Sequence, residues 1–487
     1  HVSSRRQRQM CIRDRFGTDG WRGRLAFDFT LENLIKVTVA SCQELNYQYY
    51  NKLLSKKVLI GFDRRFMANH LAKAIIPYVN ACGLEPILST SYVTTPACSF
   101  YAKEMNLLGS LIITASHNPS DWLGLKIKNF QGSSVNSSFT EAVEKRIKLQ
   151  NTIEPGSNKY EEIDIKRFYL ERISSKFNTQ FILNKFKEMK IKVFFDSMHG
   201  SASNSLDILF KGNGSDIVQG IRENNDPYFG GHPPEPLENY IDNLKKILKK
   251  EAINDTKTLG IVFDGDGDRI AVIDELGRYC STQNLLPYFI DYLGLRNKTS
   301  NPVLKTVSGS DIITNISKKQ NRKVIELPVG FKFIAEKMIN EQIFIGGEES
   351  GGVGFGEYLP ERDGLYAAMT LLNGIAEQSK YLFESLDQIQ KEFGPSFYER
   401  IDIPFTNNNK KNNLKKFIIN NIPNDICNYL VKTVSMTDGI KIRLENNFWI
   451  LFRFSGTEPL LRLYCEAPSK DLLDKTLKWS KEFINNE

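Results

Sequence analysis

The segment Leu259–Asp274, LGIVFDGDGDRIAVID, constrains this chain more than any other. Its flanks, GIVF and IAVI, are short, apolar and rich in β-branched residues, so both read as buried strands. Between them Asp264, Asp266 and Asp268 alternate with glycines, a pattern that lets a tight loop aim three carboxylates at one point. Such a concentration of hard oxygen donors calls for a hard cation, and magnesium is the usual ion where protein ligands are few. Glu275 falls at the twelfth position counted from Asp264, the spacing of an EF-hand. An EF-hand needs glycine at the sixth position, which is Arg269 here, and helices rather than strands on either side.

The same strand-then-loop rhythm recurs in Lys57–Asp63 (KVLIGFD), Leu108–Ser116 (LGSLIITAS) and Ile191–Gly200 (IKVFFDSMHG). Alternation of such runs with helix-period segments indicates α/β layers, which place ligand groups in the loops at the strand ends. With 487 residues the chain is too long for one core. The polar stretch around Pro155 and Gly156 marks a first boundary. A third block starts near Thr282 with an amphipathic helix over Leu285–Leu295 and includes the strand IFIGGEES. From about Gly394 the texture changes: an Asn/Lys-rich segment (Asn407–Asn413) reads as a solvated loop, followed by two apolar strands around FRFSGTEP and a closing Lys/Leu-rich helix.

Composition narrows the function classes. Apolar residues make up 41% and charged residues 25%, as in globular proteins, and no run of eighteen apolar residues suggests a membrane span. Seven scattered cysteines without a CxxC pair fit reduced thiols, hence a cytoplasmic setting, better than disulfides or zinc. Residues 1–15 carry five arginines and one aspartate, which accounts for +4 of the net charge of +7. This segment lacks the apolar stretch of a signal peptide and reads as an addition to the fold. Without it neither a nucleic-acid partner nor a membrane partner is expected.

In TASHNPSDWLGLKIK (Thr114–Lys128), Ser116 ends an apolar strand, and no GxSxG elbow is present to make it a hydrolase nucleophile. A phosphate on this serine would add a hard oxygen ligand to the aspartate loop. Phosphoserine at about −2, three aspartates and a divalent cation together leave a site of about −3. An anionic substrate would then need several cations, for which Arg22, Lys126, Arg269, Lys332 and Arg453 are candidates. Glu348 and Ser350 in GGEESGG suit the hydroxyls of a sugar. Arg453, Ser455, Gly456 and Thr457 in RFSGTEP suit a phosphate that is held and not transferred.

The ordered set FGTDGWRG (Phe16–Gly23), TASHNP, DGDGDR, GEESGG and RFSGTEP resembles the α-D-phosphohexomutase superfamily, and most closely its bacterial phosphoglucomutase/phosphomannomutase members. The resemblance runs from Phe16 to the C-terminus. It implies an α/β protein of four domains around a central cleft: three similar α/β domains and a smaller C-terminal α/β domain like the TATA-binding protein. The boundaries expected are 16–154, 155–281, 282–393 and 394–487. It further implies that Ser116 is the phosphoserine and a metal ligand, and that Asp264, Asp266 and Asp268 hold magnesium. Arg22, His117, Lys126 and Arg269 would lie in the catalytic centre. Glu348 and Ser350 would bind the sugar, and Arg453, Ser455, Gly456 and Thr457 its phosphate. Lys332 in PVGFKFI matches a lysine of the glucomutase branch.

The implied reaction interconverts glucose 1-phosphate and glucose 6-phosphate through a glucose 1,6-bisphosphate, which also serves as activator, with phosphomannomutase activity beside it. Lys332 is the first candidate for general base and His117 the second. Phosphomannomutase or phosphoglucosamine mutase is the alternative main activity, although the glucosamine branch usually carries GEQSGH. From another class, an inactive sugar-phosphate-binding paralogue would share the motifs. Hexose phosphates are the expected partners, and a monomer or a dimer is compatible with the sequence. Two departures stand out: Gly352 replaces the histidine that ends the sugar loop of many phosphomannomutases, and Leu123 replaces an asparagine.

Overall fold

The computed structural model describes residues 16–17, 19–53, 55–149, 154–405, 408–446, 448–455 and 460–485. The basic segment 1–15 and the predicted phosphate-loop residues Gly456 and Thr457 lie outside these. The chain divides into two compact units. The first comprises the described residues up to Thr179, Phe194–Leu244 and Val262–Asp268; the second comprises Gln180–Val193, Lys245–Ile261 and the described residues from Arg269 onward.

The first unit is built on strands β1 (Trp21–Arg24), β2 (Lys57–Phe62), β3 (Glu85–Ser89), β4 (Gly109–Ile113), β5 (Trp122–Asn129) and β6 (Glu161–Ile163), in the order β1-β5-β4-β2-β3-β6. Strands β4, β2, β3 and β6 run parallel, whereas β5 and β1 join antiparallel. The central strands are apolar along their length because helices cover both faces of such a sheet. Helix Leu31–Leu53 places Leu34, Val37 and Leu45 in one core with Val58, Ile60, Leu111 and Ile113. Leu123 on β5 is fully buried in that core and pairs with Gly23 of β1. The departure from asparagine is therefore a packing substitution.

Strands β7 (Ile191–Asp196) and β9 (Lys257–Phe263) each begin in the second unit and end in the first, with β8 (Val218–Ile221) in the first. Strand β10 (Ile270–Ile273) pairs antiparallel with β11 (Tyr279–Cys280). The aspartate loop thus lies between two strands, as its flanks require. The Glu275 carboxylate caps the helix Leu382–Phe393 by accepting the N–H groups of Leu382 and Phe383 at 3.1 and 3.2 Å, so it is engaged elsewhere than at a metal.

The second unit carries a mixed sheet of β12 (Val303–Thr306), β13 (Val324–Leu327), β14 (Ile345–Gly347) and β15 (Val353–Phe355), in the order β13-β12-β14-β15. Its C-terminal sheet consists of β16 (Phe397–Pro404), β17 (Asp425–Ile426), β18 (Tyr429–Ser435), β19 (Ile440–Leu444), β20 (Phe448–Phe454) and β21 (Leu460–Ala467), all antiparallel in the order β16-β21-β20-β19-β18-β17. Helix Lys470–Asn485 packs on it through Leu473 and Leu477. Of the Asn/Lys-rich segment expected to be a loop, residues 408–413 belong instead to helix Asn408–Asn420, and Asn407 lies outside the described residues. Leu414 and Ile418, four residues apart, anchor that helix in the core, and the polar run ahead of them conceals this periodicity. Among the described residues no helix is long and apolar enough to cross a membrane.

One buried carboxylate fastens the C-terminal sheet to the loop after β12. Glu466 on β21 accepts from Trp449 Nε1 at 2.5 Å, Ser396 Oγ at 2.5 Å, the Asp311 N–H at 2.9 Å and Ser310 Oγ. Beside it, Arg443 pairs with Asp311 at 2.7 Å, and Lys441 pairs with Glu326 at 3.0 Å. Burial, reinforced by Lys305 and Arg443, brings the Lys441 ammonium down to about 8. Leaving several buried donors mismatched costs more than a hydrogen bond contributes. Glu466→Gln should therefore lower stability by about 3 kcal/mol, read as a drop in denaturant midpoint at unchanged m-value.

Candidate active site

In the first unit, Ser116 lies just beyond the end of β4 with a left-handed backbone (φ 52°) and is almost wholly buried. Its Oγ donates to Asp264 Oδ2 at 2.8 Å. Asp264, Asp266 and Asp268 are fully buried and offer carboxylate oxygens that all lie within 4.8 Å of one another. The Asp268 N–H donates to Asp264 Oδ1 at 3.0 Å, which tightens the loop. Gly265 is needed for closeness: a Cβ there would lie 2.5 Å from the Ser116 carbonyl oxygen.

Lys126, opposite Ile112 in the β4–β5 ladder, projects its ammonium among carboxylates. Its Nζ is 2.6 Å from Asp19, 2.7 Å from Asp266 and 2.8 Å from Asp268. Asp19 also accepts from Lys128 Nζ at 3.0 Å. Burial pushes the Asp266 carboxyl up, but the Lys126 ammonium and the Thr95 hydroxyl outweigh it and hold the group well below the usual carboxylate range. Asp266 is therefore ionised, and its Oδ1 is buried without a hydrogen-bond partner among the described residues. An all-oxygen donor set with one such atom fits magnesium, which Asp264, Asp266 and Asp268 would hold.

His117, partly exposed, places Nδ1 3.5 Å from Ser116 Oγ and Nε2 4.0 Å from Glu235. Arg22 on β1 donates to Asn118 Oδ1 at 2.7 Å, on the same loop as Ser116. The first unit thus brings together Ser116, His117, Lys126, Arg22 and the three aspartates. Asp19 and Thr95 join them without having been singled out from the sequence. Asp19 stands in the quoted FGTDGWRG, where its acidity beside Arg22 was the available signal.

The other candidates belong to the second unit. Glu348 follows β14, and its Oε1 accepts from Ser350 Oγ at 2.7 Å and Arg362 Nη1 at 2.9 Å. Gly352 is explained here, since a Cβ would meet Arg362 Cδ at 2.1 Å. Arg269 stands beside this loop: Ile270 donates its N–H to the Gly351 carbonyl at 3.0 Å. Glu349 turns to other partners, Ser308 Oγ at 2.6 Å and Tyr464 OH at 3.2 Å. Lys332 opens the helix Phe331–Asn340, and partial burial lowers its ammonium from the ordinary value.

Arg453 at the end of β20 pairs with Asp438 at 2.8 Å, and the same carboxylate oxygen accepts the Val329 N–H at 2.8 Å, three residues ahead of Lys332. The Arg453 guanidinium and the loop ahead of Lys332 are thereby joined. The Ser455 carbonyl accepts from Lys411 Nζ at 2.6 Å. Arg362, Asp438 and Lys411 were not legible in the sequence, because nothing in their local pattern separates them from surface charges.

Four family models match the chain: the phosphoglucomutase/phosphomannomutase α/β/α domains I, II and III over residues 13–153, 167–277 and 282–393, and the C-terminal domain over 410–478. A protein of Methanocaldococcus jannaschii named phosphoglucosamine mutase is 31% identical over 441 residues, covering 88% of this chain and 93% of the relative. A phosphoglucomutase/phosphomannomutase of Thermococcus kodakarensis is 27% identical over 459 residues, covering 94% and 95%. The crystal structure of parafusin, a phosphoglucomutase from Paramecium, superposes with a TM-score of 0.79 at 20% identity, covering 97% of this chain and 94% of that one, and so shares its fold.

Asp266→Asn removes one charge and keeps the shape of the loop. It should weaken Mn2+ binding, measured by titration calorimetry without substrate, by about tenfold or more. Unchanged affinity would show that the aspartate loop is structural.

Proposed function

Because the chain belongs to the phosphoglucomutase/phosphomannomutase family of phosphohexomutases, isomerases that move a phosphoryl group within a hexose, we propose that Ser116 carries that phosphoryl group and that glucose 1-phosphate and glucose 6-phosphate are its main substrates. The observation that supports this best is the buried hydrogen bond from Ser116 Oγ to Asp264 beside two further aspartates and Lys126. The serine hydroxyl stands beside carboxylates gathered at one point, which suits a phosphorylated oxygen sharing a cation with them.

In the proposed first step, a free hydroxyl of the hexose phosphate attacks the phosphorus of phospho-Ser116. The P–O bond to the sugar forms as the P–Oγ bond breaks, the hydroxyl proton passes to a base, and Ser116 Oγ takes up a proton. The resulting hexose 1,6-bisphosphate returns its other phosphoryl group to Ser116 by the reverse chemistry. Magnesium, when bound, would neutralise charge on the phosphoryl oxygens. Lys126, Arg22 and Arg269 would supply the remaining positive charge. Lys332 is the first candidate for the base, since burial favours its neutral form. His117, 3.5 Å from Ser116 Oγ, is the second and is suited to exchanging a proton with the serine. Glu348 and Ser350 would grip sugar hydroxyls, and Arg453 with Ser455, Gly456 and Thr457 the spectator phosphate.

A second reading, glucosamine phosphate as main substrate, is favoured by the name of the Methanocaldococcus relative. Glu349 carries no weight in this choice, because Ser308 and Tyr464 occupy its carboxylate. The Lys332 loop favours glucose.

Incubation with glucose 1,6-bisphosphate should add one phosphate to Ser116 by peptide mass analysis, and Ser116→Ala should lose it together with about 10⁴-fold or more in kcat. Retained turnover in that variant would remove the phosphoserine. Side-by-side kcat/KM values for glucose, mannose and glucosamine 1-phosphates decide the substrate. Glucose should lead and mannose be used measurably, and a tenfold lead for glucosamine would give the second reading.

A further inference from the structure

The side chain of Arg65, in the loop after β2, is completely buried. Its Nη2 donates to the carbonyl oxygens of Ser116 at 2.7 Å and Asn118 at 2.6 Å. Its Nη1 donates to those of Pro119 at 2.7 Å and Trp122 at 3.1 Å. One guanidinium therefore collects three carbonyls of the loop that bears the serine and that of Trp122, which opens β5. The ring of Phe229 covers it at 4.9 Å from centroid to guanidinium carbon.

The other side of Ser116 is gripped as well. Its N–H donates to Thr114 Oγ1 at 2.9 Å, and that hydroxyl donates to Asp63 Oδ2 at 2.6 Å. The same Asp63 oxygen lies 3.3 Å from Arg65 Nε. Both peptide groups of Ser116 are thus tied into one buried unit, the carbonyl by Arg65 and the N–H by Thr114, with Asp63 joining the two.

We propose that Arg65 and Thr114, coupled through Asp63, are positioning residues for phosphoryl transfer, holding Ser116 in the left-handed conformation that presents Oγ to Asp264. The proposal rests on the phosphoserine reading above. A left-handed backbone at a residue other than glycine is unfavourable by about 1–2 kcal/mol and persists only where its surroundings over-determine it. A fold that needed only a filled space behind β4 could use an apolar side chain. A buried cation whose donors converge on four carbonyls fixes direction as well as volume. Both residues bond to the backbone of Ser116 and its loop and not to Oγ, so the effect falls on the rate of transfer.

The test is the rate at which glucose 1,6-bisphosphate phosphorylates Ser116, followed by quenched-flow mass analysis in the full chain with magnesium. Arg65→Lys keeps the charge beside Asp63 but cannot span four carbonyls. It should slow phosphorylation about 100-fold, the scale of a 1 Å misplacement, with KM for glucose 1-phosphate within about threefold of wild type. Thr114→Val should slow it about tenfold with KM equally unmoved. Wild-type rates in both variants would overturn the proposal. So would a slowing matched by an equal rise in KM, or one accounted for by the unfolded fraction in a thermal melt. If Arg65→Lys does not fold, Thr114→Val alone decides. A wild-type chain that accepts no phosphate on Ser116 would overturn the phosphoserine reading and this proposal with it.

Discussion

Three carboxylates whose oxygens lie within 4.8 Å of one another are fully buried in the first unit, and the architecture around them answers that repulsion. At this separation each pair of unit charges repels by about 3 kcal/mol for an effective dielectric constant of 20. The chain sets Lys126 among them, pairs that lysine with Asp19 as well, and adds the Asp268 N–H to Asp264 Oδ1 and the Thr95 hydroxyl to Asp266 Oδ2. The alternating glycines follow from the same demand, since loops this close leave no room for side chains between them. Carboxylates gathered this closely beside a serine hydroxyl suit a phosphate that shares a cation with them.

Much of this was legible beforehand because the signals were local. The strand flanks of DGDGDR, the apolar run into Ser116 and the replacement of the EF-hand glycine by Arg269 are each contained within a dozen residues, and they anticipated β9, β10 and β4. What escaped notice depends on distant pairing. Arg65 follows a strand at whose end a charged residue is ordinary, and only the fold delivers four carbonyls to it. Asp438 lies in a turn between strands and acquires meaning by linking Arg453 to Val329. The helix Asn408–Asn420 was obscured by composition: its polar first turns outweighed the apolar pair Leu414 and Ile418.

The second unit handles charge differently. There, Asp311 and Glu326 are paired with Lys305, Lys441 and Arg443, and Glu466 beside them is held by neutral N–H and O–H donors. Such a satisfied network contributes specificity of packing more than net stability, because desolvation offsets most of the attraction. It registers the C-terminal sheet on the loop after β12, and Glu349 extends that registration to the loop of Glu348 and Ser350 through Ser308 and Tyr464. The loop that would read the sugar and the sheet that carries Arg453 are therefore set by shared contacts.

Gly352 carries a consequence for how such chains diverge. The space a side chain would enter is filled by Arg362, which also holds Glu348. A histidine at 352 would meet that arginine, and withdrawing the arginine would leave the Glu348 carboxylate without its cation. A larger residue at 352 therefore requires Arg362 to take another course, and the two positions should vary together.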